Sequence, residues 1–320
     1  MRVSTSQIFN AGTLGIQQNQ SDLYTLQNQM STGRRILTPA DDPIGASQAL
    51  LTTQSQGVNK QFLDNQAAAS TQLNLVSSKL GSVGDELQNI YEKAVQAGNG
   101  SYGAGDRGAI ATELKQRLTN LVSLANSKDA SGLYVFSGFQ TNVQPFQITG
   151  SGGNYQTSSP ANPLATYQGD AGVQSLQVSS SQTMAITENG SDLFLKVRDS
   201  QGNLTGRSMF DSIQNMIDIL DPSSGIPFSQ ASYNKSLGDI QASIDHVSTT
   251  QASVGARMQS LDSLTAVGQD VSVLYDQQLS NLQDLDYTKA ISDLSKKTMQ
   301  LQAAQQTFKQ TSQLSLFSIL

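Results

Sequence analysis

Three groups of residues in this 320-residue chain have the types and spacing that chemistry uses. Asp41 and Asp42 are neighbouring carboxylates, the residue type that serves as paired general acid and base. Gly103-Ala104-Gly105-Asp106-Arg107-Gly108 is a G-x-G-x-x-G run, a pattern that can cradle a pyrophosphate. His246, the single histidine, stands beside Asp245, and histidine is the residue type that most often transfers protons or ligates metals. Each has a plainer reading. Adjacent carboxylates at a helix start point in different directions, and Asp42 before Pro43 has the form of an N-cap followed by a first helical residue. The glycine run follows a helix and loop rather than a strand, which suits an interhelical connection. His246 precedes Val247 on a polar helical face and reads as solvated. Cys is 0, so thiol nucleophiles, disulfides and Cys-ligated metals are excluded, and one histidine cannot build a multi-His zinc site. The expectation is a protein that is no enzyme and has no cofactor and no metal.

Composition narrows the partners. Charged residues make up 14% of the chain, with a formal net charge of -6 and a pI of about 4.7. Nucleic acid and anionic membrane both call for a dense Lys/Arg surface, so neither is expected. Gln, Ser, Asn and Thr fill the place of charge. The first twenty residues hold no 7–15-residue apolar run, so no secretory signal peptide is expected. No stretch approaches the ~20 apolar residues of a membrane helix.

The elements that must carry these residues follow from apolar spacing. Ile16, Leu23 and Met30 recur every seven residues, with Leu26 between them. A break follows at Leu37-Thr38-Pro39-Ala40-Asp41-Asp42-Pro43. Helix resumes with Leu73, Val76, Leu80, Val83, Leu87, Ile90, Ala94 and Ala97 in alternating three- and four-residue steps, the signature of helix packed along helix. The run 98–103 ends it, and Ile110, Leu114, Leu118, Leu121 and Leu124 mark another helix. From about residue 141 to 205 the composition turns to short aromatic and β-branched runs between Gly/Ser/Asn clusters. Strand candidates fall at 134–139, 145–148, Ala165–Tyr167, 174–178, 184–187 and 193–198. Helix returns at Ser208, with Phe210, Ile213, Ile217 and Leu220 on one face, and Asp221-Pro222 stops it. Ile240, Ile244, Val247, Val254, Met258 and Leu261 continue the heptad pattern, and residues 232–320 contain no proline. As one helix they would extend about 130 Å at ~1.5 Å per residue.

The expected fold class is mainly α: a long antiparallel helical bundle or coiled coil formed by the N- and C-terminal arms, with a small β-rich domain inserted and placed at the far end. The terminal arms differ from the interior. Arg2, Arg34, Arg35 and Lys60 against Asp22, Asp41 and Asp42 give residues 1–60 a charge of +1. Lys289, Lys296, Lys297 and Lys309 against Asp284, Asp286 and Asp293 give 281–320 a charge of +1, which leaves -8 for the interior. Neither arm contains Glu, although exposed coiled coils solvate their flanks with Glu and Lys. Neutral flanks can be buried against other copies without the several-kcal/mol cost of desolvating charge. Gly12 and Gly15 each weaken the first arm by roughly 1 kcal/mol relative to Ala, so both arms are expected to be frail alone and to order on assembly. The candidate assembly interface comprises Ile8, Phe9, Leu14, Ile16, Leu23, Leu26 and Met30 on the first arm. On the last arm it comprises Ile291, Leu294, Leu301, Phe308, Leu314, Leu316, Phe317 and Leu320.

Several segments resemble one known family. Gln29-Met30-Ser31-Thr32-Gly33-Arg34-Arg35-Ile36 followed by Pro39-Ala40-Asp41-Asp42-Pro43 is similar to the N-terminal signature of the flagellin superfamily. The Asp-Asp-Pro step, Gly132-Leu133-Tyr134-Val135-Phe136-Ser137-Gly138 with Pro145-Phe146, and Tyr167-Gln168-Gly169-Asp170 look more like its hook-filament junction subfamily than like flagellin. Val254-Gly255-Ala256-Arg257-Met258, Asp286-Tyr287-Thr288-Lys289-Ala290 and the terminal Ser315-Leu316-Phe317-Ser318-Ile319-Leu320 match family segments as well. The resemblance implies three domains: terminal helices (1–42 and 281–320), a helical bundle (43–140 and 206–280) and an outer β-rich domain (141–205). It implies a structural adaptor of the bacterial flagellum, exported through the type III apparatus without a cleaved signal and located outside the cell. The implied partners are other copies of itself, the first hook-associated protein on the hook side, flagellin on the filament side, and an export chaperone on the C-terminal arm. A flagellin-type filament subunit is the alternative.

Overall fold

The computed structural model describes residues 5–148, 164–198 and 201–317. Its helices are α1 (Thr5–Thr32), α2 (Pro43–Ala97), α3 (Ala104–Ala125), α4 (Met209–Leu220), α5 (Gln230–Gln283) and α6 (Tyr287–Phe317). Four short strands lie between α3 and α4: β1 (Phe146–Ile148), β2 (Ala165–Tyr167), β3 (Ser175–Gln177) and β4 (Thr183–Ala185). The chain divides into two compact units, one of residues 1–60 with 269–320 and one of residues 61–268.

The larger unit has the core. Every member of the α2 heptad from Leu73 to Ala97 is fully buried, and so are Leu114, Leu118 and Leu121 of α3. On α5, Ile240, Val247, Val254 and Leu261 recur every seven residues and are all buried. The charged flanks pair: Lys93 with Glu113 at 3.0 Å and Arg117 with Glu86 at 3.6 Å align α3 antiparallel to α2. The glycine run does what a helix-loop-helix connection needs. Gly103 is the N-cap of α3, and its N–H donates to the Asp106 carboxylate at 3.0 Å. Ser208 caps α4, where its Oγ accepts from the Asp211 N–H at 3.0 Å.

The strands form two separate antiparallel pairs, β1 with β2 and β3 with β4. Phe146 of β1 joins Phe136, Phe194 and Phe210 in one cluster, with contacting ring centroids 5.2–5.7 Å apart. The first two strand candidates divide. Residues 145–148 give β1, whereas 134–139 form turns, with Val135 N–H donating to Ser127 O at 3.1 Å. The candidate at 193–198 is a single π-helical turn, Ser191–Leu195, that buries Leu193 and Phe194. Both were read as strands from their short apolar runs between turn residues, but an apolar pair such as Val135-Phe136 or Leu193-Phe194 fills a core equally well from a turn.

The module's place within this unit also differs from the expectation. The Tyr233 Oη donates to Ala94 O at 2.7 Å at one end of the bundle. The β3–β4 hairpin sits instead beside Asn65, Gln66 and Arg257. Asn65 Nδ2 donates to Gln177 O at 2.8 Å, Gln66 Nε2 to Val178 O at 2.7 Å, and Arg257 Nη1 to Ala185 O at 2.9 Å. The Arg257 guanidinium also pairs with Glu188. The hairpin lies along the helices because four main-chain and carboxylate acceptors find donors there. His246 belongs to the same set: it is half-buried, with Nε2 3.1 Å from Asp192 O, and is therefore a packing contact rather than a freely solvated side chain.

Candidate assembly interface

The smaller unit is built on α1 and α6, which run antiparallel: Phe9 meets Phe308, Asp22 meets Lys297 and Met30 meets Tyr287. The Phe9 and Phe308 rings stand 4.9 Å apart and tilted. Gly12 makes that approach feasible, since a Cβ there would fall 2.7 Å from Phe308 Cδ2. A residue that weakens the isolated helix thus serves the helix pair. Lys297 Nζ reaches Asp22 Oδ2 at 2.5 Å, and Gln18 Nε2 reaches its other oxygen at 2.9 Å. The Lys297 bond first, and Gln18 after it, hold the Asp22 carboxyl below the usual carboxylate range.

Beyond this pair both chains break at one level. Gly33 takes φ +70, a left-handed conformation suited to glycine, and ends α1. Asp286 starts α6, accepting from Lys289 N–H at 3.1 Å. The proline-free C-terminal stretch is therefore two helices rather than one, because an Asp cap and a main-chain partner can stop a helix without proline. The partner is the Gly33 strand: Arg34 bridges Asp284, Arg35 N–H donates to Gln283 O at 2.6 Å and Leu285 N–H to Gly33 O at 2.9 Å. The Arg35 guanidinium reaches Leu282 O at 2.9 Å and Asp42 at 3.4 Å.

The adjacent carboxylates are both spent on this turn. Asp41 Oδ2 accepts from Thr38 N–H at 2.7 Å and Leu37 N–H at 3.1 Å, bonds that hold its pKa low. Asp42 Oδ1 accepts from Gly45 N–H at 2.9 Å as the cap of α2. A Cβ at Gly45 would fall 2.5 Å from Asp42 Oδ2. These two carboxylates organise backbone and are not poised as an acid–base pair.

The expected interface residues fall into three groups. Ile16, Leu23, Leu26, Met30, Leu294, Leu301 and Phe308 are half-buried on the paired helices. Phe9, Leu14 and Ile291 are 52%, 66% and 54% exposed. The side chains of Ile8, Leu314, Leu316 and Phe317, and residue Leu320, lie outside the described residues. Sequence reasoning passed over further exposed apolar side chains in this unit: Tyr24, Tyr287 and Met299 on α1 and α6, and Ile44, Leu50, Leu51 and Val58 on α2. The signal for the α2 group was available in the seven-residue spacing of Ile44, Leu51 and Val58. Among the described residues, Ala49 and Ala290 are the fully buried apolar side chains of the unit. No His/Cys/Asp/Glu group that could hold a metal ion occurs among the described residues.

Comparison with known proteins bears on this arrangement. Residues 3–141 match the family profile of the bacterial flagellin N-terminal helical region, and residues 237–320 that of the C-terminal helical region. The chain is 32% identical to flagellar hook-associated protein 3 of Salmonella typhimurium over 330 residues, covering 100% of this chain and 99% of that one. The Escherichia coli protein of the same name is 30% identical over 329 residues, again 100% and 99%. Flagellin of Serratia marcescens is 30% identical over only 145 residues, 42% of this chain and 40% of that one. Among solved structures, the flagellar junction protein of Legionella pneumophila superposes with a TM-score of 0.59 at 20% identity, covering 74% of this chain and 100% of that one.

Proposed function

The chain belongs to the flagellar hook-associated protein 3 family, and from that premise we propose that it is the structural adaptor that joins the flagellar hook to the flagellin filament. The end-to-end match carries this reading: the relatives named hook-associated protein 3 align over the whole chain, whereas the Serratia flagellin aligns over 42% of it. The flagellin-type filament subunit is thereby the weaker reading. The protein acts by association rather than catalysis, in keeping with carboxylates committed to capping and a histidine committed to packing.

Within this reading the paired arms are the assembly element. The candidate residues of α1 and α6 pack against further copies of the chain, the first hook-associated protein on one side and flagellin on the other. Their neutral flanks support this, since burial there desolvates little charge. The bundle and the β pairs form the outer domains. The protein travels through the flagellar type III apparatus with no cleaved signal, its C-terminal arm held by an export chaperone, and resides in the extracellular flagellum.

Deletion tests the reading. Cells lacking the gene are expected to retain hooks, to release flagellin into the medium as monomer, and to swim again when the gene is restored. Normal filaments on the deletion strain would refute the adaptor role. Hooks with unattached subunits in the medium would distinguish it from a flagellin, whose loss leaves no filament subunit to release.

A further inference from the structure

All of α4 is buried, its polar residues included. At the start of the helix that polarity is fully used: Asp211 Oδ2 accepts from Ser208 Oγ at 2.7 Å, and Asp211 Oδ1 from Leu164 N–H at 2.9 Å. One turn on, the matching fails. Gln214 and Asp218 are 1% and 5% exposed, and their i,i+4 spacing lets the side chains meet. Gln214 Nε2 donates to Asp218 Oδ1 at 2.7 Å. The other oxygen of each group, Gln214 Oε1 and Asp218 Oδ2, is buried with no hydrogen-bond partner among the described residues. Buried polar atoms are as a rule hydrogen-bonded, so two bare acceptors on one bonded pair call for a donor. Turning the Gln214 amide over would set Oε1 against Oδ1, acceptor against acceptor.

The neighbouring donors do not serve. Lys115 Nζ is committed to Asp221 at 2.7 Å, and Ser224 Oγ to Asp218 main-chain O at 2.6 Å. Asn215 Nδ2, on the same helix, has no partner and so reaches neither oxygen. A cation such as calcium takes roughly six to eight oxygens, against the two offered here. What completes the pair with the least is a hydrogen on Asp218 Oδ2. The acid then donates to the amide oxygen while the amide donates to the acid, two bonds in one ring.

The charges around the pair are few. Lys115 of α3 favours the carboxylate and Asp221 opposes it. Glu113 and Arg117 of α3 pair towards α2, with Lys93 and Glu86. On the π-helical turn that packs on α4, Asp192 pairs with Lys196 in an exposed position. The 3-10 turn Pro222–Ser224 carries no charge. Burial acts in the same direction as the bare acceptors, pushing the Asp218 carboxyl up to about 6.

We propose that Asp218 and Gln214 form a buried proton-binding site, in which a proton taken from solvent bonds to Asp218 Oδ2, cancels the carboxylate charge and is donated to Gln214 Oε1, closing an acid–amide ring that latches the middle of α4. The site is independent of the assembly reading above.

NMR of the full-length chain tests it directly. Asp218 Cγ and Gln214 Cδ would be followed from about pH 7.5 to about pH 4.5, with Asp218→Asn and Gln214→Met used only to assign the two signals. The expected result is that both carbons move together through one midpoint above the ordinary carboxylate range, the amide carbon responding because its oxygen gains a donor. A Cγ that titrates in the ordinary range would overturn the proton site. A Cγ that titrates high while Gln214 Cδ stays still would overturn the ring and leave Oε1 to a water. A midpoint that falls by about one pH unit when Ca2+ replaces Na+ at equal ionic strength would assign the oxygens to a cation instead.

Discussion

One helix, α2, runs through two units that use it in opposite ways. In residues 61–268 it contributes a continuous leucine and valine seam to a core of more than thirty fully buried apolar side chains. In residues 1–60 it turns glycine, alanine and threonine inward and isoleucine, leucine and valine outward. Each buried Leu or Val is worth roughly 1.5–3 kcal/mol, so the larger unit can hold itself together. The smaller one has alanines where such residues would be, and Ile44, Leu50, Leu51 and Val58 of α2 are exposed in it. Burial and exposure of large apolar side chains thus fall to different stretches of a single helix.

The sharpest way to break this comparison is to put a charge on each side of it. Leu80→Asp buries an unpaired carboxylate in a site with no exposure and should cost on the order of 4 kcal/mol or more, enough to abolish the cooperative melt of the larger unit. Leu14→Asp, at a position 66% exposed, should leave that melt unchanged and block assembly. Equal losses of melting temperature in the two variants, followed by circular dichroism, would erase the distinction.

A smaller effect is expected at the hairpin clamp. Arg257→Ala removes the donor to Ala185 O and leaves Glu188 without its cation, a cost of about 1–3 kcal/mol. The loss should appear first as faster amide exchange in β3 and β4, with the α2 heptad still protected. Uniformly faster exchange would mean that the hairpin is integral to the core.

The smallest effect concerns pH. Burial pushes the Asp218 carboxyl up to about 6, against the opposing pull of Gln214 and Lys115. The folded pKa lies above the ordinary value, so ionised Asp218 is a burden on the fold at neutral pH. That burden lifts as pH falls through about 6. Asp221, held down to about 2 by its bond to Lys115, acts in the reverse sense and loses its contribution only as pH falls through about 2. Asp218→Asn should therefore stabilise the larger unit by ~1 kcal/mol at pH 7 and flatten its stability between pH 4 and 6, measured by urea unfolding. A variant less stable than the parent at pH 7 would show that the carboxylate is needed in its charged form.

The parts legible in sequence were those governed by a period. Every predicted heptad position from Leu73 to Ala97 is buried, and Ala165–Tyr167 is a strand, because alternation and heptad spacing follow from backbone geometry. The parts that were not legible depend on contacts distant in sequence. The break at 284–286 comes from main-chain pairing with Gly33–Arg35, some 250 positions away. The turn at Ser191–Leu195 brings Gly190 against Phe136 O, where a Cβ would clash. The exposed Ile44, Leu51 and Val58 of α2 went unread because heptads were sought for what they bury. On the candidate interface, the half-buried seam of α1 and α6 was legible, and the role of Gly12 was inverted, since propensity describes a lone helix and Phe308 supplies the missing neighbour.

The facing breaks at Gly33 and 284–286 have a mechanical meaning. The helices on either side are stiff, whereas two main-chain hydrogen bonds and an Arg35 fork join the strands between them. Such a joint fixes axial register, because a slip of either strand would leave the main-chain donors Arg35 N–H and Leu285 N–H without their acceptors. A load pulling α1 and α6 past each other would therefore have to break these main-chain bonds at one level before the helices could slide.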